Sequence, residues 1–327
     1  MAALYPFIFR PIFKERVWGG RAIERLYGKK LPAGVPIGES WEISDRPGDA
    51  SVIANGPLAG KDLRWLMENH ERELLGKAKS AKGRFPLLIK ILDAQEKLSL
   101  QVHPPAHKAA ELKGEPKTEA WYIADAAPGA ELYVGLKRGV TRAEFETKIK
   151  TGAVAECFHR VPVKTGDTMF LPSGRVHAIG AGLVIFEIQQ NSDTTYRVFD
   201  WNRVGLDGKP RDLHVAESLA SIDFADFEPG LVDDPVQEVG GTWKYRNLVR
   251  HELFRVMLNN HQSAHPVLIN PEEFLIMGVL EKKVVVAGVA GLAVEAVAGQ
   301  FCLIPAGVRV ELWPEAGARY LSINGGA

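Results

Sequence analysis

The sequence predicts a mainly β protein: two β-barrel-like units with a few inserted helices. Short apolar runs recur between Gly, Pro, Asn and Asp turn signals along most of the chain, a spacing that suits strands better than long helices. The stretch Gly166-Asp167-Thr168-Met169-Phe170-Leu171-Pro172-Ser173-Gly174 returns in spacing and character as Gly299-Gln300-Phe301-Cys302-Leu303-Ile304-Pro305-Ala306-Gly307, which suggests a duplicated barrel. A chain of 327 residues, 46% of them hydrophobic, is long enough for two domains with cores of their own. The Pro229-Gly230 and Asp233-Asp234 signals within 224–235 mark the expected boundary, which divides the chain into 1–225 and 226–327.

In chain order, residues 7–60 mix short apolar runs with turns such as Trp18-Gly19-Gly20 and Asn55-Gly56-Pro57, and are expected to form strands and loops. Glu39-Ser40-Trp41-Glu42-Ile43-Ser44 reads as a strand whose two carboxylates are either structural or exposed, or, less simply, a source of acid–base chemistry. Leu63, Leu66, Met67, Leu74 and Leu75 are spaced for a helix over 61–75, with Gly76 as its stop. Leu87-Leu88-Ile89-Lys90-Ile91-Leu92 is a buried-strand candidate interrupted by Lys90, which either snorkels to solvent or faces a polar cavity and meets an anion. Residues 106–112 suit a short helix. Glu131-Leu132-Tyr133-Val134-Gly135 suits a strand, and Thr141 with Glu144 has capping-box spacing for a further helix. Strands return over 161–200, a helix is expected over 213–222, and the last hundred or so residues are again short strands.

Lys plus Arg equals Asp plus Glu at 40 each, so no global field recruits nucleic acid or an anionic membrane, and partners have to be argued from sites. The N-terminal stretch has no basic region before its apolar run, and no run of about 18 apolar residues occurs, so a cytoplasmic protein that does not span a membrane is expected. Cys157 and Cys302 lie far apart and in no Cys-x-x-Cys motif; buried free thiols are expected.

The chemistry centres on Ser99-Leu100-Gln101-Val102-His103-Pro104. Here Leu98, Leu100 and Val102 alternate with Ser99, Gln101 and His103, the period of a half-buried strand. Gln101 and His103 therefore share a face, separated by roughly 6.6 Å of rise, near enough to converge on one ion. Lys117-Thr118-Glu119 adds a cation and a carboxylate on one face, and Pro172-Ser173-Gly174-Arg175-Val176-His177 carries a histidine into the next strand. Gln101, His103, Glu119 and His177 form a two-imidazole, two-oxygen set suited to a divalent metal, although each residue taken alone has an ordinary structural explanation. Asp193 and Arg197 follow in Gln190 to Arg197, either as an exposed salt bridge or as part of the same pocket. In the repeat the position of His177 is taken by Val310, so the second barrel is expected to lack the metal.

Phe85-Pro86-Leu87-Leu88-Ile89-Lys90, Leu98 to Pro104, Lys117 to Tyr122, the Pro172-Ser173-Gly174-x-x-His177-Ala178 element and Gln190 to Arg197 together resemble the type I mannose-6-phosphate isomerases in their short bacterial form. Phe13-Lys14-Glu15-x-x-Trp18-Gly19-Gly20 and Gly38-Glu39-Ser40-Trp41 are similar too, so that the likeness covers about residues 7–223. It implies two cupin-type barrels (double-stranded β-helix or jelly roll) and a Zn2+ enzyme, with one ion per chain, interconverting mannose 6-phosphate and fructose 6-phosphate through an enediolate. By motif, Gln101, His103, Glu119 and His177 would hold the metal, with Gln101, an amide oxygen, the weakest donor. Ser99, Lys90 and Lys117 would lie near the substrate, and Arg197 and Asp193 would complete the catalytic set. Lys117 could shuttle the proton, with Asp193 assisting, if burial lowers its pKa; otherwise it binds the anion. The implied partner is a small phosphosugar, with neither nucleic acid nor membrane, and the chain is expected to be a monomer or weak homodimer. Two other readings fit a barrel of this kind: a cupin iron enzyme of oxygen chemistry, and a sugar-binding cupin without catalysis.

Overall fold

A computed structural model of the chain describes residues 4–288 and 291–326. Its strands are β1 (Phe7–Ile8), β2 (Ile12–Gly20), β3 (Ile37–Ile43), β4 (Asp45–Arg46), β5 (Asp49–Ala50), β6 (Leu87–Ala94), β7 (Leu100–Val102), β8 (Glu119–Ala126), β9 (Glu131–Leu136), β10 (Phe158–Pro162), β11 (Thr168–Leu171), β12 (His177–Ile179), β13 (Leu183–Gln190) and β14 (Tyr196–Phe199). They continue as β15 (Gln237–Val239), β16 (Trp243–Arg250), β17 (Phe254–His261), β18 (Val267–Ile269), β19 (Leu275–Glu281), β20 (Lys283–Gly288), β21 (Ala293–Val297), β22 (Phe301–Ile304), β23 (Val310–Pro314) and β24 (Arg319–Gly325). The helices are α1 (Ala22–Tyr27), α2 (Leu63–Leu75), α3 (Ala106–Ala109), α4 (Arg142–Thr151) and α5 (Val215–Ser221). The mainly β class with inserted helices is thus the one the sequence implies.

Two compact units result. One comprises residues 13–40 and 90–231; the other comprises 1–12, 41–89 and 232–327. The division is interleaved along the chain, with its last crossing after Leu231, where the sequence suggests one cut at 225/226. In the first unit one sheet has the order β11-β8-β13-β6-β3-β2 and the other β10-β9-β12-β7-β14. Side chains from both sheets, among them Leu92, Trp121, Ile123, Leu132, Val134 and Ile185, meet in one apolar cluster.

The second unit repeats this plan except that its smaller sheet has no counterpart of β14. Its sheets run β22-β19-β24-β17-β16-β15, extended by β1 beyond β22, and β21-β20-β23-β18. The nine-residue match in the sequence marks equivalent elements: β11 and β22 follow Gly166 and Gly299, and β12 and β23 follow Gly174 and Gly307. Gly174 and Gly307 sit at φ 93° and 69°, the left-handed region that a residue with a Cβ rarely adopts, so both turns call for glycine.

Register carries the equivalence to the candidate ligands. His177 pairs with Gln101 as Val310 pairs with Ile269, and Leu171 pairs with Glu119 as Ile304 pairs with Leu275. His103, two residues past Gln101, then corresponds to Pro271. The four polar positions become Ile, Pro, Leu and Val, and Val310 and Ile304 sit in the second unit's apolar cluster with Ile269 and Leu275 packed against it.

Local signals account for the helices that the sequence predicts. Asp62 accepts a hydrogen bond from Trp65 N at 2.7 Å and caps α2, and the Thr141 hydroxyl accepts from Glu144 N at 3.2 Å and caps α4. The short helix α1 is the exception, since residues 7–60 are expected to hold only strands and loops. Its first N–H, from Ala22, is received by the Asp93 carboxylate on β6 at 2.5 Å. That cap comes from a residue far away in sequence, so no local pattern announces it. Among the described residues no helix is long and apolar enough to cross a membrane.

With no donor at Ile269, Pro271, Leu275 or Val310, elemental analysis of the purified protein should return one tightly bound divalent ion per chain. Two equivalents would contradict the reading of the second unit.

Candidate active site

The strand alternation around Gln101 sorts side chains to two faces. Leu100 and Val102 enter a cluster with Tyr133, Leu136, Phe145 and Phe158 on one side of the sheet. Ser99, Gln101 and His103 face the other way, toward Glu119 at the start of β8 and His177 at the start of β12. One donor atom from each of His103, Glu119 and His177 lies within 4.8 Å of the others, and all three residues are buried.

Each imidazole is held in one tautomer. His103 Nδ1 donates to the Thr194 carbonyl at 2.8 Å and His177 Nδ1 donates to the Arg175 carbonyl at 2.9 Å, which leaves both Nε2 lone pairs turned inward. They stand 3.5 and 3.4 Å from the Glu119 oxygens. The supports are themselves fixed: Arg175 makes a two-pronged pair with Asp226, both bonds 2.8 Å, and Gly174 N donates to the His103 carbonyl at 2.9 Å. The Trp121 ring meets His177 edge-on at 5.3 Å.

Burial pushes His103 down from its ordinary value, assisted by the Lys117 charge, and pushes His177 down to about 3. Burial alone would raise Glu119, but Lys117, at 2.7 Å, and the two histidines outweigh it and hold the carboxyl well below the usual range. Neither Glu119 oxygen receives a well-aligned hydrogen bond, despite being sealed from solvent. Two inward lone pairs and an ionised carboxylate with spare acceptor capacity are what a divalent cation satisfies. Gln101 is brought to the same place, 3.2 Å from His177 Nε2, with its amide N–H toward that lone pair and its oxygen toward the Ser99 hydroxyl at 3.3 Å. Ligation by Gln101 requires a half-turn of the amide.

Lys117 and Gln101 form part of the wall of a cavity of about 550 Å³. Ser99, Lys90, Asp193 and Arg197 line it too, so every residue that the motifs single out is either in this wall or in the cluster behind it. Lys90 does not snorkel outward. It is buried, with Nζ 3.4 Å from Glu187, 3.8 Å from Glu39 and 3.8 Å from Asp193. Burial pulls Lys117 down, yet Glu119 and Glu187, the latter at 3.9 Å, more than offset it, so the ammonium lies above its ordinary range and the lowering that proton shuttling by Lys117 would need is reversed.

Arg197 marks the opposite chemistry. Its Nη1 donates to the Asp212 carbonyl at 2.7 Å, its Nε is buried without a partner, and burial followed by the nearby Arg211 lowers its pKa. Arg211 and Arg203 share one carboxylate, Asp200. Arg197 and Arg211 thus line this end of the cavity together with Asp207.

Motif reasoning left out Glu187, Arg16 and Arg211, all in the cavity wall, and placed Glu39 with structural residues. Glu187 had a legible signal: it stands inside the apolar run Leu183 to Ile188, as Lys90 does inside its own. Arg16 bonds Glu39 at 2.9 Å, a contact between separate strands that no local pattern predicts.

Comparison with known proteins agrees with this geometry. A family model described as phosphomannose isomerase type I, catalytic domain, matches residues 7–148. YvyI of Bacillus subtilis is 38% identical over 280 residues, covering 84% of this chain and 85% of that one. The mannose-6-phosphate isomerase ManA of the same organism is 44% identical over 223 residues, 67% of this chain and 68% of that one. The chain belongs to the type I phosphomannose isomerase family. A crystal structure of the mannose 6-phosphate isomerase from Bacillus subtilis superposes with a TM-score of 0.89 at 32% identity over 98% of this chain and 100% of that one, so the cupin fold implied by resemblance is the fold observed. A phosphomannose isomerase structure from Salmonella typhimurium shares the fold at 16% identity, with a TM-score of 0.77 over 99% of this chain and 100% of that one. Family membership makes the chain an aldose–ketose isomerase, and the His103, Glu119 and His177 cluster fits a metal site.

The sign of the histidine shifts fixes a pH dependence for the metal-free protein. Both imidazoles are neutral in the fold and charge on unfolding, so their contribution is complete above the ordinary histidine value of about 6.5 and is lost as pH falls toward the folded value of about 3 for His177. The unfolding free energy of chelated protein should fall between pH 7 and pH 5, with a slope that His177 brings toward roughly 1.4 kcal/mol per pH unit and that the lowered His103 steepens. His177→Asn should flatten that slope; an unchanged slope would refute the assignment.

Proposed function

We propose that this chain interconverts mannose 6-phosphate and fructose 6-phosphate with one Zn2+ held by His103, Glu119, His177 and Gln101. The observation that carries the reading is the ionised, unsolvated Glu119 carboxylate facing two imidazole lone pairs behind the wall of a cavity that Lys117, Arg197 and Arg211 line. Two nitrogens and two oxygens suit zinc, with coordination positions left for substrate. The bound ion supplies Lewis acidity for the oxygens on the reacting carbons. The iron-enzyme and binding-only readings lose ground to the family match, and to a cavity that combines the cluster with paired acids and cations.

The remaining chemistry falls to the chain's own side chains. An aldose–ketose exchange removes the C2 proton, passes through an enediolate and returns a proton to C1, while a proton moves between O1 and O2. Lys117, held protonated, donates toward the sugar oxygens and stabilises their negative charge as it develops. The carbon proton then needs a carboxylate. Glu187 suits this, because burial raises its pKa and so makes it a stronger base, and it lies 3.4 Å from Lys90 in the same wall. Asp193, half exposed on the other side of Lys90, assists at the mouth. Arg197 and Arg211 hold the phosphate, Arg197 through its unpartnered Nε, and Ser99 and Lys90 contact the sugar.

Every one of these groups comes from one chain, so a monomer or weak homodimer suffices. The free buried thiols Cys157 and Cys302 suit a reducing, cytoplasmic setting.

A coupled assay supplied with mannose 6-phosphate should show turnover that chelation removes and added Zn2+ restores; full activity in chelated protein would refute the reading. Lys117→Met, assayed with Zn2+ in excess so that loss of the charge beside Glu119 does not empty the site, should lower kcat by on the order of 10²–10³. Near-normal turnover would remove Lys117 from the mechanism.

A further inference from the structure

Trp121 touches both halves of the site without lining the cavity. It lies two residues past Glu119 on β8, is buried, and projects into the core of the first unit. Its indole N–H donates to Glu187 Oε1 at 3.0 Å, while the edge-on ring contact at 5.3 Å reaches His177. Three groups hold the Glu187 carboxylate: Trp121 by a hydrogen bond on Oε1, the Lys117 ammonium 3.9 Å from the same oxygen, and the Lys90 ammonium 3.4 Å from Oε2. Lysine is a flexible point charge that can follow a moving carboxylate. An indole locked in a packed core cannot, so the Trp121 hydrogen bond fixes the direction of Oε1 and with it the lone pairs left for a reacting proton.

We infer that Trp121 is a positioning residue that locks the Glu187 carboxylate in its reactive orientation and ties that orientation to the His177 ring. The inference rests on the isomerase reading and adds a group that never meets the substrate. A hydrogen bond to a charged acceptor is among the stronger ones, and a base that pivots away from a carbon-bound proton loses rate without losing substrate affinity.

The test is Trp121→Phe, which keeps a ring against His177 and deletes the donor. It should lower kcat on the order of tenfold, leave KM for mannose 6-phosphate within about twofold, and leave both the metal content and the chelator concentration that strips the ion unchanged. Introduced beside Glu187→Asp, whose shorter carboxylate no longer reaches the indole, the same change should cost less than twofold. A kcat within twofold of the parent, an equal tenfold loss in the Glu187→Asp background, or a loss accompanied by weaker metal retention would each overturn the proposal. Should Trp121→Phe fail to fold, a benzothienylalanine at position 121 keeps the shape of the indole without its N–H and carries the same expectations. Failure of the isomerase reading is distinguishable, since it appears as an inactive parent protein loaded with metal.

Discussion

A carboxylate sealed inside a β-barrel is the constraint from which the rest of this site follows. Glu119 is removed from water, and burial alone would raise its pKa. The Lys117 ammonium, two residues earlier and 2.7 Å away, reverses that and keeps the charge on the oxygens. Burial acts on the two histidines with the opposite result, since an imidazole is uncharged in its basic form: they stay neutral and keep their lone pairs. All three strong donors therefore stand in the protonation state that metal binding requires before any ion arrives, and binding need not release protons from them.

The second unit shows what this arrangement costs and what it is for. Apart from a counterpart of β14 it has the same strand order, and its matching turns carry the same glycines, but Ile269, Pro271, Leu275 and Val310 occupy the positions of Gln101, His103, Glu119 and His177. The fold closes around apolar side chains there without a charged pair. Buried ion pairs commonly contribute less stability than packed hydrophobic residues of similar volume. The polar set in the first unit is therefore not a requirement of the barrel, and its persistence there points to chemistry.

Much of this was legible along the chain, and the limits have physical causes. Period-two alternation at Leu98 to His103 identified which side chains share a face, and the strand obeys it, with Leu100 and Val102 on the apolar side and Gln101 and His103 on the other. The glycine-bounded repeat exposed the duplication because turns at positive φ constrain residue identity strongly. Helix α2 was legible in its apolar spacing and the glycine that ends it, and α4 in its capping box. Contacts between distant strands did not: Asp93 capping α1, Arg16 holding Glu39, and Trp121 donating to Glu187 are decided by register and packing. The protonation state of Lys117 was hidden for the same reason, because it depends on two carboxylates, and Glu187 reaches it from another strand.

The cavity wall follows a gradient that a dianionic sugar can read. At one end Lys117 is committed to Glu119 and Glu187, and Lys90 stands among Glu39, Glu187 and Asp193, so acids outnumber the lysines there. At the other end Arg197 and Arg211 line the wall; Arg211 is paired with Asp200, and Arg197 donates to the Asp212 carbonyl. On the proposed reading, a phosphate would meet Arg197 and Arg211 at the second end, which would orient the molecule with its reacting carbons toward the first. Orientation and proton transfer would then fall to different ends of one cavity: the guanidinium end would set the direction of entry, and the acid-rich end, where the lysines are already paired, would move the protons.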